Sequence, residues 1–141
     1  MEGSQRRLKV AIEAARIGTW DSNLLTGELV WSDAAESIFG LERGSFKGTR
    51  EAFYEMVHED DRDIIRRSVN RATEAGIDFD VEHHRVWPDG SIRCMENKGR
   101  VFRDSDGKSV HMMGTVIDIT DRKQAEQMEP IYQELRLASE I

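Results

Sequence analysis

Residues 109–125 read SVHMMGTVIDITDRKQA. The first half has strand chemistry: Val110, Met112, Val116 and Ile117 are apolar, with β-branched residues gathered near the end. The second half, from Asp121, reads as the opening turns of a helix. The change falls at Asp118-Ile119-Thr120, with neither Gly nor Pro to loosen it. Thr120 or Asp121 is placed to cap the helix by accepting a bond from a free backbone N–H. A strand that runs straight into a helix is a stiff joint, and movement of the sheet would be felt in the helix. Asp118, Ile119 and Thr120 are therefore expected to transmit a signal out of whatever the upstream chain builds.

Working outward, two more strands precede this one. Residues 77–87 alternate, with Ile77, Phe79 and Val81 on one face and Asp78, Asp80 and Glu82 on the other. The Pro88-Asp89-Gly90 turn leads into a strand over 91–103, and Asp104-Ser105-Asp106-Gly107 into the strand over 109–119. Three strands joined by tight turns make an antiparallel meander. Near the start, strands over 19–24 and 28–31 flank Leu25-Thr26-Gly27, a hairpin turn. Helices over 34–39, 49–56 and 62–75 lie between the hairpin and the meander. Ser32 or Asp33 would cap the first, and Asp60 or Asp61 the third, which Gly76 ends. The order β-β-α-α-α-β-β-β predicts an α+β fold: a five-stranded antiparallel sheet with helices over one face.

Helices are expected at both ends. Over 5–17, Leu8, Ala11, Ile12 and Ala15 share a face, and Gly18 would end the helix. After 121, Pro130 is expected to interrupt the exit helix at Glu129. Ala125, Met128, Tyr132 and Leu135 form a short coiled-coil-like seam. The division is thus a flanking helix over 1–17, a domain over 18–120 and an exit helix or linker over 121–141.

Composition narrows the function. A net charge of -7 and a pI near 5.1 argue against nucleic acid as a partner. No apolar run approaches the ~20 residues of a membrane span, and the N-terminus lacks the apolar core of a signal peptide. A single cysteine, Cys94, excludes an internal disulfide and a cysteine-rich metal site, which fits a reducing cytoplasm.

The order and its punctuation resemble the PAS domain family, in particular the bacterial sensory-box subgroup with a PAC-type C-terminal motif (the PAS fold-3 type). The matching words are Gly18-Thr19-Trp20-Asp21, Leu25-Thr26-Gly27-Glu28, Trp31-Ser32, Ile38-Phe39-Gly40-Leu41, Val57-His58-Glu59-Asp60-Asp61-Arg62, Pro88-Asp89-Gly90-Ser91-Ile92-Arg93, Gly99-Arg100 and Asp118-Ile119-Thr120-Asp121-Arg122-Lys123. They cover nearly all of the chain between the two flanking helices. Two positions depart. Glu59 stands where the family usually has proline. His84 stands where it commonly has arginine, so that either the arginine's role is lost or a bulge brings Arg85 into its place.

The resemblance implies a pocket between sheet and helices. Here it would be lined from Phe39, Phe53, Met56, Ile65, Phe79, Val81, Met113 and Thr115, residues that equally suit a plain core. His83 follows Val81 on the inward face by period two. It either bonds a pocket ligand or titrates near neutral pH, or else it sits half exposed at the strand's end with no specific role. His83 and His84 point to opposite faces and cannot share a metal ion, and the acids after His58 suit helix caps, so no metal site is expected. The family also includes haem and flavin proteins. The helix over 62–75 has no histidine for haem, and Cys94 lies on a strand, away from the helical cysteine of photoreactive flavin relatives. Haem is thus not expected, non-covalent flavin remains open, and no cofactor is required.

No phosphate loop, nucleophile elbow or triad order appears, so the module itself is expected to be non-catalytic. The resulting expectation is a cytoplasmic sensory input domain, homodimeric through its flanking helices. It would bind a small ligand or partner and signal to an effector in the same polypeptide: a histidine kinase, or a GGDEF or EAL domain that makes or breaks cyclic-di-GMP. A ligand-free homodimerisation module is the alternative, and a small enzyme using the same cavity a third.

Overall fold

The computed structural model describes residues 2–139; Met1, Glu140 and Ile141, at the ends of the two expected flanking segments, lie outside the described residues. Helix α1 spans Glu2–Ala14, followed by β1 (Gly18–Asn23), β2 (Leu29–Trp31), α2 (Asp33–Ile38) and α3 (Arg50–Met56). A single 3-10 turn, Glu59–Asp61, leads into α4 (Arg62–Ala75). The meander β3 (Phe79–Val86), β4 (Ile92–Arg103) and β5 (Ser109–Asp118) closes the sheet, and α5 (Thr120–Ser139) leaves it. The five strands run in the order β2-β1-β5-β4-β3, every neighbouring pair antiparallel. The expected α+β architecture is present, with the hairpin and the meander joined through β1 and β5.

The inner face of the sheet is set by register. One row crosses all five strands: Trp31 on β2, Trp20 on β1, Gly114 on β5, Gly99 on β4 and Phe79 on β3. The two glycines leave a trough in which the Trp20 indole lies, its edge meeting Phe79 at 6.1 Å between ring centroids and 90° between planes. A Cβ at Gly99 would stand 2.5 Å from the Trp20 ring. One at Gly114 would stand 1.9 Å from the Lys98 carbonyl and 2.5 Å from Trp20. On this face Ile38, Phe39, Val57, Ile65 and Ala72 from the helical block pack against Phe79, Val81, Met95, Met112 and Val116. The α4 helix supplies Ile65 and Ala72 and ends at Gly76, which takes the left-handed conformation at φ 69°.

The caps fall partly where expected. Ser32 accepts from the Ala35 N–H and also from the Thr19 N–H, which ties α2 to β1. Thr49 caps α3 through Ala52. Asp61 occupies the cap position of α4 but makes no capping bond. Its carboxylate instead accepts from the His84 N–H at 2.7 Å and meets the His84 ring at 2.8 Å. The His58 N–H donates to the His84 carbonyl. His84 lies on the free side of edge strand β3, and these bonds satisfy backbone groups that the ladder leaves open. The register of β3 with β4 is continuous, so no bulge occurs there. Arg85 points inward and donates to the Phe39 and Met56 carbonyls at 2.8 and 3.5 Å, holding the ends of α2 and α3 together.

Three boundary expectations are corrected. First, α1 stops at Ala14, short of residue 17. The Arg16 and Ile17 N–H groups bond back to Glu13 and Ile12, with Arg16 at φ 57°, a closure that does not use Gly18. Gly18 starts β1, where a Cβ would lie 2.7 Å from the Ala35 backbone. Second, Pro130 lies inside a continuous α5 and does not interrupt it. Third, neither Thr120 nor Asp121 caps α5; Asp118 takes the Thr120 N–H.

The helical ends are thinly packed. Leu8 and Val10 on α1 are exposed, as are Met128, Ile131, Tyr132 and Leu135 on α5. No helix of the described residues is long and apolar enough to cross a membrane.

Gly114→Ala is expected to lower stability at or beyond the upper end of the ~1–3 kcal/mol that overpacking costs. Gly3→Ala, whose Cβ would meet nothing within 4 Å and which lies in helix α1, is expected not to lower the melting temperature. Thermal melts of the two variants make the comparison.

Candidate functional site

A cavity of about 60 Å³ lies between the inner face of the sheet and helices α3 and α4. Its walls are apolar: Trp20, Leu24, Leu29, Trp31, Phe39, Phe53, Ile65, Val69, Phe79, Met112 and Val116. The polar lining comes from Ser22, Arg50, Tyr54 and Asn97. An aromatic cluster closes one side. Trp31 stacks on Phe46 at 3.8 Å with 8° between planes, and sits 4.6 Å from Phe39. Phe46 is positioned by the buried Glu36, whose two carboxylate oxygens accept from the Gly44 and Phe46 N–H groups at 2.9 Å. Those bonds hold the Glu36 carboxyl below its usual value. A carboxylate inside the domain thus shapes the loop 41–48, whose Phe46 backs the cavity wall at Trp31.

Of the residues expected to line a pocket, Phe39, Phe53, Ile65 and Phe79 are brought together around the cavity. Val81 is buried in the layer beside it. Met56 packs against the core but opens onto a separate surface groove with His58, Arg62 and Arg85. Met113 and Thr115 are corrected. Met113 is 46% exposed, and both residues lie on the outer face; Met112, Gly114 and Val116 face inward. Period two makes the error complete: a register read one residue off turns every side chain to the other side. The residues not anticipated include the Trp20 and Trp31 walls, Met112 and Val116 on β5, and the polar Arg50 and Asn97. Their signal was available in part, since Asn97 is two residues from Gly99 on the inward face of β4.

His83 is fully buried, which overturns the half-exposed alternative. It lies 6.0 Å from Phe39 and 5.7 Å from Phe53, ring to ring. The Asn97 Nδ2 meets its Nε2 at 3.4 Å. With Nδ2 donating, Nε2 is the acceptor and the neutral ring carries its proton on Nδ1. Among the described residues neither His83 Nδ1 nor Asn97 Oδ1 has a hydrogen-bond partner. Two unpaired polar atoms in a buried pair, one of whose members lines the cavity, leave hydrogen-bonding capacity there for a water or a polar ligand group.

The residues do not fit the larger cofactors of the resemblance. A single benzene ring occupies a cavity of ~150 Å³, and the space here is about 60 Å³. Neither fused flavin rings nor a haem macrocycle fits between the sheet and helices as packed. No group of three or more potential metal ligands occurs among the described residues.

The exit of the sheet is a second constellation. Asp118 Oδ1 accepts from the Thr120 N–H at 2.9 Å and from its hydroxyl at 2.5 Å. Arg93 donates to Asp118 Oδ2 at 2.9 Å. The Thr120 hydroxyl accepts from the Cys94 N–H, and the Cys94 carbonyl accepts from the Ile119 N–H, both at 2.9 Å. Burial works to raise the Asp118 carboxyl, but the bonds from Thr120 and Arg93 outweigh it and hold it below its ordinary value. Ile119 and Thr120 are buried. Burial also pushes the Cys94 thiol up, away from reactivity. On the outer face, Lys123 reaches Glu82 at 2.9 Å and Arg122 reaches Glu96 at 3.3 Å. The first turn of α5 is thereby fixed across β3 and β4.

Burial lowers His83 from 6.5 to about 4, against the opposing pull of Asp61. The unfolded chain therefore binds more protons than the folded one between those values, and stability falls as pH drops through that window. Unfolding in urea at about pH 7 and about pH 5 is expected to differ by about 2 kcal/mol from this group. In His83→Gln the corresponding difference is expected to shrink by that amount.

Comparison with known proteins agrees with the geometry. A family model described as the PAS fold matches residues 28–116. The sensor protein FixL of Bradyrhizobium diazoefficiens is 29% identical over 125 residues, which is 89% of this chain and 25% of that protein. A blue-light-activated histidine kinase of Brucella anthropi is 32% identical over 123 residues, 87% of this chain and 24% of that protein. The chain thus spans about a quarter of the length of the curated relatives it matches. Among solved structures, a sensory box histidine kinase/response regulator from Burkholderia thailandensis superposes with a TM-score of 0.76 at 29% identity, over 92% of this chain and 98% of that one. With its sheet order, inner cavity and exit corner, the chain belongs to the PAS fold family.

Proposed function

We propose that this chain is the sensory input module of a signalling protein and is itself non-catalytic. A change at the cavity or on the sheet would be passed through Asp118, Ile119 and Thr120 into α5, and from there to an effector in the same polypeptide. A histidine kinase is the effector that the relatives' names favour, and a GGDEF or EAL domain is the other. The single observation that carries this reading is the exit corner. Asp118 and Met95 are cross-strand partners, and Met95 is in turn the partner of His83. The row joins the buried His83–Asn97 pair to the first residue of the corner through one fully buried side chain. Repacking of Met95 would act on both ends. The single free cysteine, Cys94, fits a reducing, cytoplasmic setting for the module.

We further propose that two copies pair through α1 and α5. The exposed Leu8 and Val10 on one helix, and Met128, Ile131, Tyr132 and Leu135 on the other, support that reading over a solitary domain. A module that only dimerises, with no ligand, would use the same helices but leave the orphaned polar atoms at His83 and Asn97 without a role.

Thr120→Val keeps the shape of the side chain and removes both bonds of its hydroxyl, leaving the buried Cys94 N–H unpaired at a cost of about 1–3 kcal/mol. Hydrogen exchange at the amides of Lys123, which donates to the Ile119 carbonyl, and Glu126 is expected to speed up by tenfold or more, on the order of that loss. Unchanged protection there would refute transmission through the corner. For pairing, sedimentation of the chain with and without residues 1–17 is expected to show a dimer that weakens or dissociates on truncation; a monomer in both cases would refute it.

A further inference from the structure

We propose that the cavity is selective for a short-chain organic monocarboxylate, its carboxylate held by Arg50 at the mouth and a hydroxyl at its inner end against Asn97. The proposal rests on the reading of the cavity as a ligand site and names what that site takes.

The inner end is defined by Asn97. The residue is 5% exposed and lines the cavity, its amide nitrogen is turned to His83, and its Oδ1 has no partner among the described residues. A buried carbonyl oxygen left without a donor carries a desolvation penalty that an entering O–H or N–H relieves. Ser22, 5% exposed, lines the same space and offers a second hydroxyl. A ligand with a purely hydrocarbon tip would leave Oδ1 unpaired, so the tip is polar and donates.

The outer end is defined by charge. Among the described residues Arg50 is the one charged residue lining the cavity; no Asp or Glu does so. It is partly buried. The ion pairs among the described residues lie elsewhere, and none takes Arg50. Glu28 and Glu51 share a surface groove with Arg50 on its solvent side, but neither reaches the cavity wall. A guanidinium in that position attracts an anion and repels a cation, and its planar fork suits a carboxylate. Leu24 and Leu29 stand beside it, so the group carrying the charge is attached to an apolar body.

Size excludes rings from the inner part. At about 60 Å³ the cavity is less than half the ~150 Å³ that takes a benzene ring. Only the hydroxyl tip and the methylenes next to it enter, and the rest of the ligand lies along the opening beside Arg50.

Four probes share one chain and differ at its ends: δ-hydroxyvalerate, pentanediol, aminopentanol and valerate. Amide chemical-shift titrations of this chain are expected to show δ-hydroxyvalerate shifting Arg50, Asn97 and Val116 and binding about tenfold more tightly than pentanediol, with aminopentanol weakest. Arg50→Gln is expected to erase the difference in affinity between the acid and the diol. Asn97→Leu is expected to reduce δ-hydroxyvalerate to the affinity of valerate. Equal binding of acid, diol and amino alcohol at these residues would overturn the carboxylate preference and leave the ligand site standing. No shift at Asn97 and Val116 with any of the four would overturn the proposal. If xenon also left those residues unmoved, the ligand-site reading would fall with it.

Discussion

The packing of one indole ring across two glycines governs this domain. Trp20 reaches from β1 over β5 and β4 to Phe79 on β3 only because Gly114 and Gly99 have no side chains. That contact ties the N-terminal hairpin, which is distant in sequence, to the far edge of the meander. It also fixes the depth of the sheet's inner surface. A flat ring in a trough, with bulkier Met112 on one side and Val116 on the other, leaves a shallow hollow that α3 and α4 roof over without filling. Both the fold and the cavity follow from the same pair of missing Cβ atoms.

The other end of the sheet is organised by hydrogen bonds in place of apolar volume. Asp118 and Thr120 each make more than one bond, and each bond spans a boundary between elements: Arg93 and Cys94 on β4, Thr120 at the start of α5. Charge-assisted bonds to a half-buried carboxylate are directional and short, so the helix leaves the sheet at a fixed angle. Beyond the ion pairs of Arg122 and Lys123, α5 is almost entirely exposed. The root of the helix is thus fixed to the sheet, and its shaft stands free of it.

Much of this was legible in the sequence, and the failures have physical causes. Strand β3 alternates cleanly, so the inward placement of Phe79, Val81 and His83 was readable. Strand β5 carries the apolar doublets Met112-Met113 and Val116-Ile117, so hydrophobicity alone gives either face equal claim, and Met113 and Thr115 were assigned to the wrong one. Parity could have been set by the glycines, had the need of Trp20 for an open trough been visible, but that need exists only once β1 pairs with β5. Arg50 and Asn97 were missed because polar residues in a helix and a strand are normally solvated; the fold alone gathers them around one hollow. The end of α1 was misplaced because Gly18 signals a helix stop locally and serves close packing against Ala35 globally. The continuous α5 shows the converse, a local breaker at Pro130 overridden.

The edges of the sheet carry a further consequence. The outer strand on one side, β2, has only three residues, and Glu28 and Leu29 already bond to Thr49 and Gly48. On the other side, β3 has the amide and carbonyl of His84 occupied by Asp61 and His58. Neither rim offers a long run of free amide and carbonyl groups to a foreign strand. Such a domain can be joined end to end with others like it, in tandem arrays within one polypeptide, without the copies fusing into a common ribbon. What it offers to neighbours is then the exposed apolar side chains of α1 and α5 together with those of the sheet, Phe102 and Met113 among them.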